Sequence, residues 1–385
     1  MRIVHTSDWH AGRIWKGLAR LDELGRVLDH LARYIETTNV DVLLVTGDVF
    51  DHAAPLPEAE RIVFNFFRRV GGAGVKTIVI AGNHDYPARM AAWATLAELV
   101  GVHAVTKPAG ADDGGVIELT TRGGERAVVA ALPFAGVGDL VAATAIAGDE
   151  TLARQSYADR LRDMIAMLAK RFRRDTVNLL LAHTHLEGAV LARSERPVHC
   201  TDQWAALPQS LPHEAQYVAL GHIHRPQEVI APAPARYAGS PMQLDFGEVG
   251  QEKSFVVIEA KPAMPARIEL VPYEGARVLR ELTLTLEDLA TVAPSTNDAW
   301  LRVTVPLDKP DPDVAAKVRA ALPNAVDVRV RLPERDAEPS LMPTPVLSPR
   351  DEYAAYVVAR RRREAEPELL DAFDELRKEC AEAGD

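Results

Sequence analysis

The sequence predicts an α/β fold, and three observations carry that expectation. From Met1 to about Tyr273 short apolar runs alternate with longer amphipathic stretches. Polar residues able to bind metal follow the apolar runs directly instead of being scattered. Later in this segment several strand-like runs follow one another with few helices between them, so the second half should form a strand-rich sheet packed on the first, a sandwich and not one doubly wound sheet.

Ile3-Val4, Val42 to Val45, Ile78 to Ile80, Leu179 to Leu181 and Tyr217 to Leu220 are short continuous apolar runs. They suit strands covered on both faces. Leu18 to Glu36, Pro57 to Val70 and Thr151 to Arg174 carry the spacing of helices that cover a sheet, and Ala88 to Val100 adds another helix. Val229-Ile230, Arg236 to Ala238, Ser254 to Glu259 and Ile268 to Val271 are the late strands. The pattern changes after Pro272-Tyr273-Glu274-Gly275, which closes an expected first domain, 1–275. Val278 to Leu286, Trp300 to Val305, Pro312 to Ala321 and Ala325 to Leu332 then read strand, strand, helix, strand: a small α+β domain, 276–332, without ligand motifs. Residues 333–349 hold five prolines and form an expected extended linker. Segment 350–385 reads as a helical pair, with Ser348-Pro349 opening the first helix and Pro367 the second. Tyr353, Tyr356 and Val357 stripe the first; Leu369, Phe373, Leu376 and Cys380 stripe the other.

Composition narrows the function. The chain has 385 residues, 47% of them hydrophobic and 26% charged, enough for two or three domains with full cores. Its two cysteines, Cys200 and Cys380, form no CxxC pair, which speaks for a reducing compartment and against a zinc ribbon or disulfide scaffold. Met1-Arg2-Ile3-Val4 enters a strand without a signal-like segment, and no apolar run approaches the roughly 20 residues of a membrane span. A cytoplasmic protein with no membrane partner is expected. The net charge of -11 argues against a general basic coat for nucleic acid but leaves a nuclease open, since bound metal ions bring positive charge to the scissile phosphate.

The motifs supply that metal chemistry. Asp8-Trp9-His10, Gly47-Asp48, Gly82-Asn83-His84-Asp85, His183 with His185, and Gly221-His222-Ile223-His224 would gather at one sheet edge, where α/β proteins build sites. Asp8 and His10, two apart, point the same way in extended backbone and can hold one ion. Asp48 is the natural bridge between two ions; Asn83, His183, His222 and His224 complete seven ligands of a kind suited to Mn²⁺. Two such ions can orient an attacking hydroxide and stabilise the leaving oxygen. His84 is expected to face the leaving group as a general acid or charge stabiliser. Asp85 is expected to fix the tautomer of His84 or cap the following helix, and Asp51, a catalytic candidate with His84, to stand behind the ligands.

These motifs, in this order, resemble the calcineurin-like metallophosphoesterase superfamily. The segments His5 to His10, Thr46 to Asp51, Gly82 to Asp85, Ala219 to Pro226 and Tyr237 to Pro241 resemble, more narrowly, the SbcD family of bacterial nuclease subunits, over nearly the whole chain. The resemblance implies a metallophosphoesterase β-sandwich flanked by helices, with an α+β capping domain and a C-terminal helical pair. It puts Asp8, His10, Asp48 and His224 on one Mn²⁺, and Asp48, Asn83, His183 and His222 on the other, with Mg²⁺ as the alternative ion. His84 takes the catalytic position. Archaeal relatives carry a second catalytic histidine where this chain has Asp51. The implied activity is Mn²⁺-dependent hydrolysis of DNA at double-strand ends, hairpins and single strands, by a homodimer whose C-terminal helices grip an SbcC-type ATPase subunit. A phosphodiesterase for small nucleotides or phosphoproteins is the rival reading, and a DNA-end scaffold with vestigial catalysis a third.

Blander readings apply elsewhere. Lys76-Thr77 behind Gly71 to Gly74 is not a phosphate loop, because a strand follows and the glycine spacing is wrong. His5, His30, His103, His199 and His213 read as structural, and so does His185 beside the ligand His183. Arg13, Lys16, Arg89 and Arg225 sit beside ligand motifs, where substrate phosphates would be held. The run Arg360 to Arg363 reads as a solvated helix face.

Overall fold

The computed structural model describes residues 1–136, 139, 157–192, 194–195, 205–296, 298–333 and 348–382. Residues 334–347 of the expected linker, the start of the Thr151 to Arg174 stretch, His199 and Cys200 lie outside the described residues, as does the side chain of Cys380. The chain divides into two compact units, Met1–Leu332 and Pro333–Asp385.

The first unit is built on two six-stranded sheets. In chain order its strands are β1 (Arg2–Thr6), β2 (Val42–Val45), β3 (Lys76–Ile80), β4 (Val102–Val105), β5 (Val116–Thr120), β6 (Arg126–Leu132), β7 (Val177–His183), β8 (Tyr217–Gly221), β9 (Gln227–Val229), β10 (Ala235–Tyr237), β11 (Ser254–Lys261) and β12 (Met264–Pro272). One sheet runs β12-β11-β1-β2-β3-β4 and the other β9-β10-β8-β7-β6-β5. Strands β1 to β4 are mutually parallel, and so are β6, β7, β8 and β10.

Alternation along each strand explains the layers. Ile3, Val42, Leu44, Ile78 and Ile80 meet Val129, Leu179, Leu181 and Tyr217 between the sheets. Their neighbours Val4, Leu43, Val45 and Val79 point the other way. There they pack on helices α1 (Leu21–Thr37), α2 (Pro57–Gly72) and α3 (Pro87–Ala97), through Leu28, Leu31, Phe67 and Met90. On the far side, Leu180, Ala182, Val218 and Leu220 pack on Leu161, Met164 and Leu168 of α4 (Tyr157–Ala169). A strand buried on both faces must be apolar throughout, which is why these runs carry no polar alternation.

Two features differ from the sequence reading. The late strands β11 and β12 return to the first sheet, β11 antiparallel beside β1 and β12 antiparallel beside β11 at the edge, instead of extending the second. The antiparallel pair β5–β6 was not anticipated, because its small-residue run carries no functional motif to mark it. Gly71 and Gly72 end α2, and Ala73-Gly74-Val75 make the helix-to-strand turn to β3 that the glycines led one to expect.

The segment 276–332 forms a parallel three-stranded sheet of β13 (Leu279–Thr283), β14 (Trp300–Pro306) and β15 (Ala325–Arg331), with α5 (Val314–Ala321). Leu301, Val303 and Val305 of its sheet pack on Val314, Val318 and Leu322. Trp15, Phe246 and Leu279 are buried, with the partly buried Trp300 packed against them, at the junction with the sandwich. There the carboxylate of Glu23 accepts from Arg20, from Trp300 Nε1 (2.8 Å) and from the Arg277 backbone (2.9 Å).

The second unit pairs α6 (Pro349–Arg361) with α7 (Pro367–Glu382). Ser348 and Asp351 form a reciprocal capping box at the start of α6. Tyr353 stacks on Phe373 with ring centroids 4.3 Å apart, and Arg350 pairs with Asp371 and Asp374. Tyr356 and Leu376 remain exposed. Among the described residues no helix is long and apolar enough to cross a membrane.

Candidate metal centre

The parallel strands bring five turns to one edge of the sandwich. Asp8 follows β1, Asp48 follows β2, Asn83 and His84 follow β3, His183 ends β7, and His222 and His224 follow β8. The first two turns are zipped together by backbone bonds from Asp8 to Gly47 (3.0 Å), His10 to Asp48 (2.9 Å) and Ala11 to Val49 (2.9 Å). The His222 N–H donates to the Asp8 carboxylate at 3.0 Å and so ties the second sheet to the first. Asp8, His10, Asp48 and His222 all have positive φ (53°, 46°, 49° and 99°). Non-glycine residues in that region store strain of roughly 1–3 kcal/mol each, and such strain clusters at functional sites. Glycine is required beside them: a Cβ on Gly82 would lie 2.1 Å from Asp48 Oδ1, and one on Gly221 2.0 Å from the Thr46 carbonyl.

The donor set fits cations. Oδ2 of Asp48 lies 3.5 Å from His10 Nε2, and its Oδ1 lies 3.6 Å from His183 Nε2. Asn83 Oδ1 is 3.0 Å from His183 Nε2 and 2.8 Å from His222 Nδ1. Asp8, His10, Asp48 and His224 offer ligand atoms within 4.8 Å of one another. The outer ring nitrogens reveal the tautomers. His10 Nδ1 donates to Asp51 Oδ1 at 2.9 Å, His183 Nδ1 to the Thr46 carbonyl at 2.7 Å, and His224 Nδ1 to Ser194 Oγ at 2.6 Å. In the neutral rings Nε2 is then bare. The Nε2 atoms of His10 and His224 nevertheless stand 3.0 Å apart, and that of His183 faces oxygen acceptors. Lone pairs turned on one another at these distances, in buried residues, are the arrangement a divalent ion reconciles.

His10, Asp51 and His84 form a second close group. Its contacts pair donor with acceptor: His10 Nδ1 with Asp51 Oδ1, and His84 Nδ1 with the Asp51 backbone carbonyl at 2.9 Å. That is hydrogen bonding and calls for no ion. Burial opposes the charge on Asp51, yet the hydrogen bond from His10 and the nearby Arg13 guanidinium hold its pKa down at about 2.

Asp85 corrects an expectation. Its carboxylate neither touches His84 Nδ1, which is bonded to Asp51, nor caps α3, which has no side-chain cap. It accepts instead from the backbones of Val49 (3.2 Å), Phe50 (3.0 Å) and Gly82 (2.9 Å). Three N–H groups left over by two tight turns outcompete one helix end. His185 lies in a two-residue strand paired with Ala205–Ala206, apart from the ligand cluster. His5 is buried between Tyr217 and Thr46, at 2.9 Å from each, and burial lowers its pKa to about 3.

The basic candidates are dispersed. Arg13 Nη1 is 3.9 Å from Asp51, Lys16 pairs with Asp327 of β15 at 3.5 Å, Arg89 pairs with Glu60 at 2.8 Å, and Arg225 is exposed. Sequence reasoning missed Ser194, Glu195, Glu248 and Lys253, which stand behind His224. Glu195 accepts from the His224 backbone at 3.1 Å, and Lys253 donates to the His224 carbonyl at 2.7 Å. They lie on two separate segments, Ser194-Glu195 and 248–253, and no motif marks them.

A pH effect follows from Asp8. Burial raises its pKa to about 6, so the metal-free site keeps a proton there until near neutrality. An ion must displace that proton. Metal affinity is therefore expected to fall about tenfold per pH unit below pH 6, with proton release on binding. Calorimetry in buffers of different ionisation enthalpy measures this; constant affinity between pH 5 and 7 would remove Asp8 from the ligand set.

Comparison with known proteins agrees with this geometry. Residues 1–226 match the calcineurin-like phosphoesterase family, and residues 276–353 match the type 5 capsule protein repressor C-terminal domain. The SbcD subunit of the SbcCD nuclease of Bacillus subtilis is 31% identical over 350 residues, 88% of each chain. That of Rhodobacter capsulatus is 32% identical over 84% of each, and that of Escherichia coli 29% identical over 88% of this chain and 86% of its own. A phosphoesterase match over more than half of the chain, joined to near full-length likeness to these nucleases, establishes that the chain belongs to the calcineurin-like phosphoesterase family and, within it, to the SbcD nucleases, which are metal-dependent phosphodiester hydrolases.

Proposed function

We propose that this chain is a Mn²⁺-dependent DNA nuclease subunit that acts on duplex ends, hairpins and single strands together with an SbcC-type ATPase. The observation that carries the reading is the division of the Asp48 carboxylate, one oxygen toward His10 and the other toward His183. Asp8, His10, Asp48 and His224 would hold one ion, and Asp48, Asn83, His183 and His222 a second. Bound divalent ions supply Lewis acidity at the phosphate and lower the pKa of a water. His84 donates Nδ1–H to the Asp51 carbonyl, so Nε2 is the ring atom that exchanges a proton with the leaving oxygen. Asp51 positions both histidines at once, His10 through its carboxylate and His84 through its backbone.

Arg13 and Arg225, beside the ligands, would hold phosphates. Lys16 and Arg89 would join them by exchanging surface ion pairs worth at most about 1 kcal/mol. A homodimer is supported by the exposed apolar residues Tyr86, Leu96 and Leu99 at and beyond the ends of α3. Mg²⁺ is the alternative ion, and a phosphodiesterase for small nucleotides or phosphoproteins the alternative enzyme. Comparing linear duplex, hairpin, single-stranded and small chromogenic phosphodiester substrates with Mn²⁺ and Mg²⁺, with and without the ATPase, tests the reading. Preference for the small substrate would overturn it.

The helical pair is proposed to grip the coiled coil of the ATPase, an assignment supported by the apolar surface that Tyr356 and Leu376 leave exposed. Removing residues 341–385 should leave metal binding and single-strand cleavage largely intact while abolishing co-purification with the ATPase and ATP-stimulated duplex digestion. Undiminished capture of the ATPase by the shortened chain would place the interface elsewhere.

A further inference from the structure

The ring of His224 rests on a buried polar chain. Its Nδ1–H donates to Ser194 Oγ at 2.6 Å, and the Ser194 hydroxyl donates to Glu248 Oε1. Glu248 is fully buried, and its other oxygen pairs with Lys253 Nζ at 2.6 Å. That oxygen also accepts from the Leu244 backbone at 3.2 Å and from Ser240 Oγ at 3.3 Å. A carboxylate with no solvent and so many fixed donors has one orientation available, so the hydroxyl between it and the imidazole has one as well. Without Ser194, His224 Nδ1 would be 3.6 Å from Glu248 Oε1, too far for a hydrogen bond.

We infer that Ser194 and Glu248 are positioning residues for His224, fixing its Nδ1–H tautomer and ring plane so that a bare, more basic Nε2 faces the metal. This rests on the reading of His224 as a ligand. A carboxylate reached through one hydroxyl raises the electron density of a ligating imidazole, and partners of this kind are typically worth about 10- to 100-fold in metal affinity. Glu248 ends the short helical turn Phe246–Glu248, whose Phe246 is packed at the junction with the capping sheet. The same turn thus anchors the ligand support to the sandwich and to β14, where Arg302 lies over the Phe246 ring at 4.2 Å.

The test is Mn²⁺ titration of the full chain, with the visible absorption of the Co²⁺-substituted protein reporting ligand geometry. Ser194→Ala should weaken one ion about 10- to 100-fold and alter the Co²⁺ spectrum while the second ion binds normally, and Ser194→Thr should restore both. Glu248→Leu combined with Lys253→Met, which removes the buried cation with its partner, should reproduce the loss at one ion. His224→Ala should abolish that ion. Wild-type affinity and spectrum in Ser194→Ala, with an ion lost in His224→Ala, would overturn the positioning role and leave the ligand assignment standing. Two ions retained by His224→Ala would overturn both.

Discussion

Asp48→Ala is expected to leave less than one bound ion per chain and no measurable phosphodiester hydrolysis. Asp48 is 1% exposed, and its two oxygens face histidines from different sheets, His10 and His183. Deleting it removes a ligand from both proposed sites and leaves two neighbouring cations without the negative charge between them. Its Oδ1 also accepts the His84 N–H at 2.9 Å, so the turn carrying His84 loses a tether as well. Metal analysis after dialysis is the measurement. Two retained ions would show that Asp48 does not bridge.

His84→Ala should produce the opposite separation. A residue that acts on the transition state can be lost without losing ground-state ligands. The His84 ring meets that of His10 edge-on at 4.6 Å and is anchored to the Asp51 carbonyl, and both contacts are to organic neighbours. Turnover should fall by about 10² or more while ion content and DNA affinity stay at their normal values. Single-turnover cleavage measured beside metal content separates the two; loss of metal in step with activity would make His84 a ligand.

The gathering of these side chains at one place was legible because each follows an apolar strand, and parallel strands deliver their C-terminal ends to one edge. The sandwich was legible from the same runs. What sequence could not supply was pairing between distant segments. Nothing in Ser254 to Lys261 tells β11 to settle beside β1, since an apolar strand satisfies either sheet. Asp85 shows the local version of this limit. From sequence it has a helix ahead and a histidine behind, and only the closeness of two turns reveals three better partners. Ser194 and Glu248 were hidden because a support is recognised by what it touches.

The mutually facing ring nitrogens carry one more consequence. Asp8 prefers its proton in the ion-free fold, and that stabilising preference is full below its ordinary pKa and lost as pH rises through about 6. Near neutrality the ion-free sandwich therefore carries, at one edge, like-natured atoms of both sheets in close contact, and a cation there would be the rivet that joins them. Free ion at a hundred times its dissociation constant adds about 2.7 kcal/mol to the folded state. The metal supply of the cell would then set how long this nuclease survives as well as how fast it cuts.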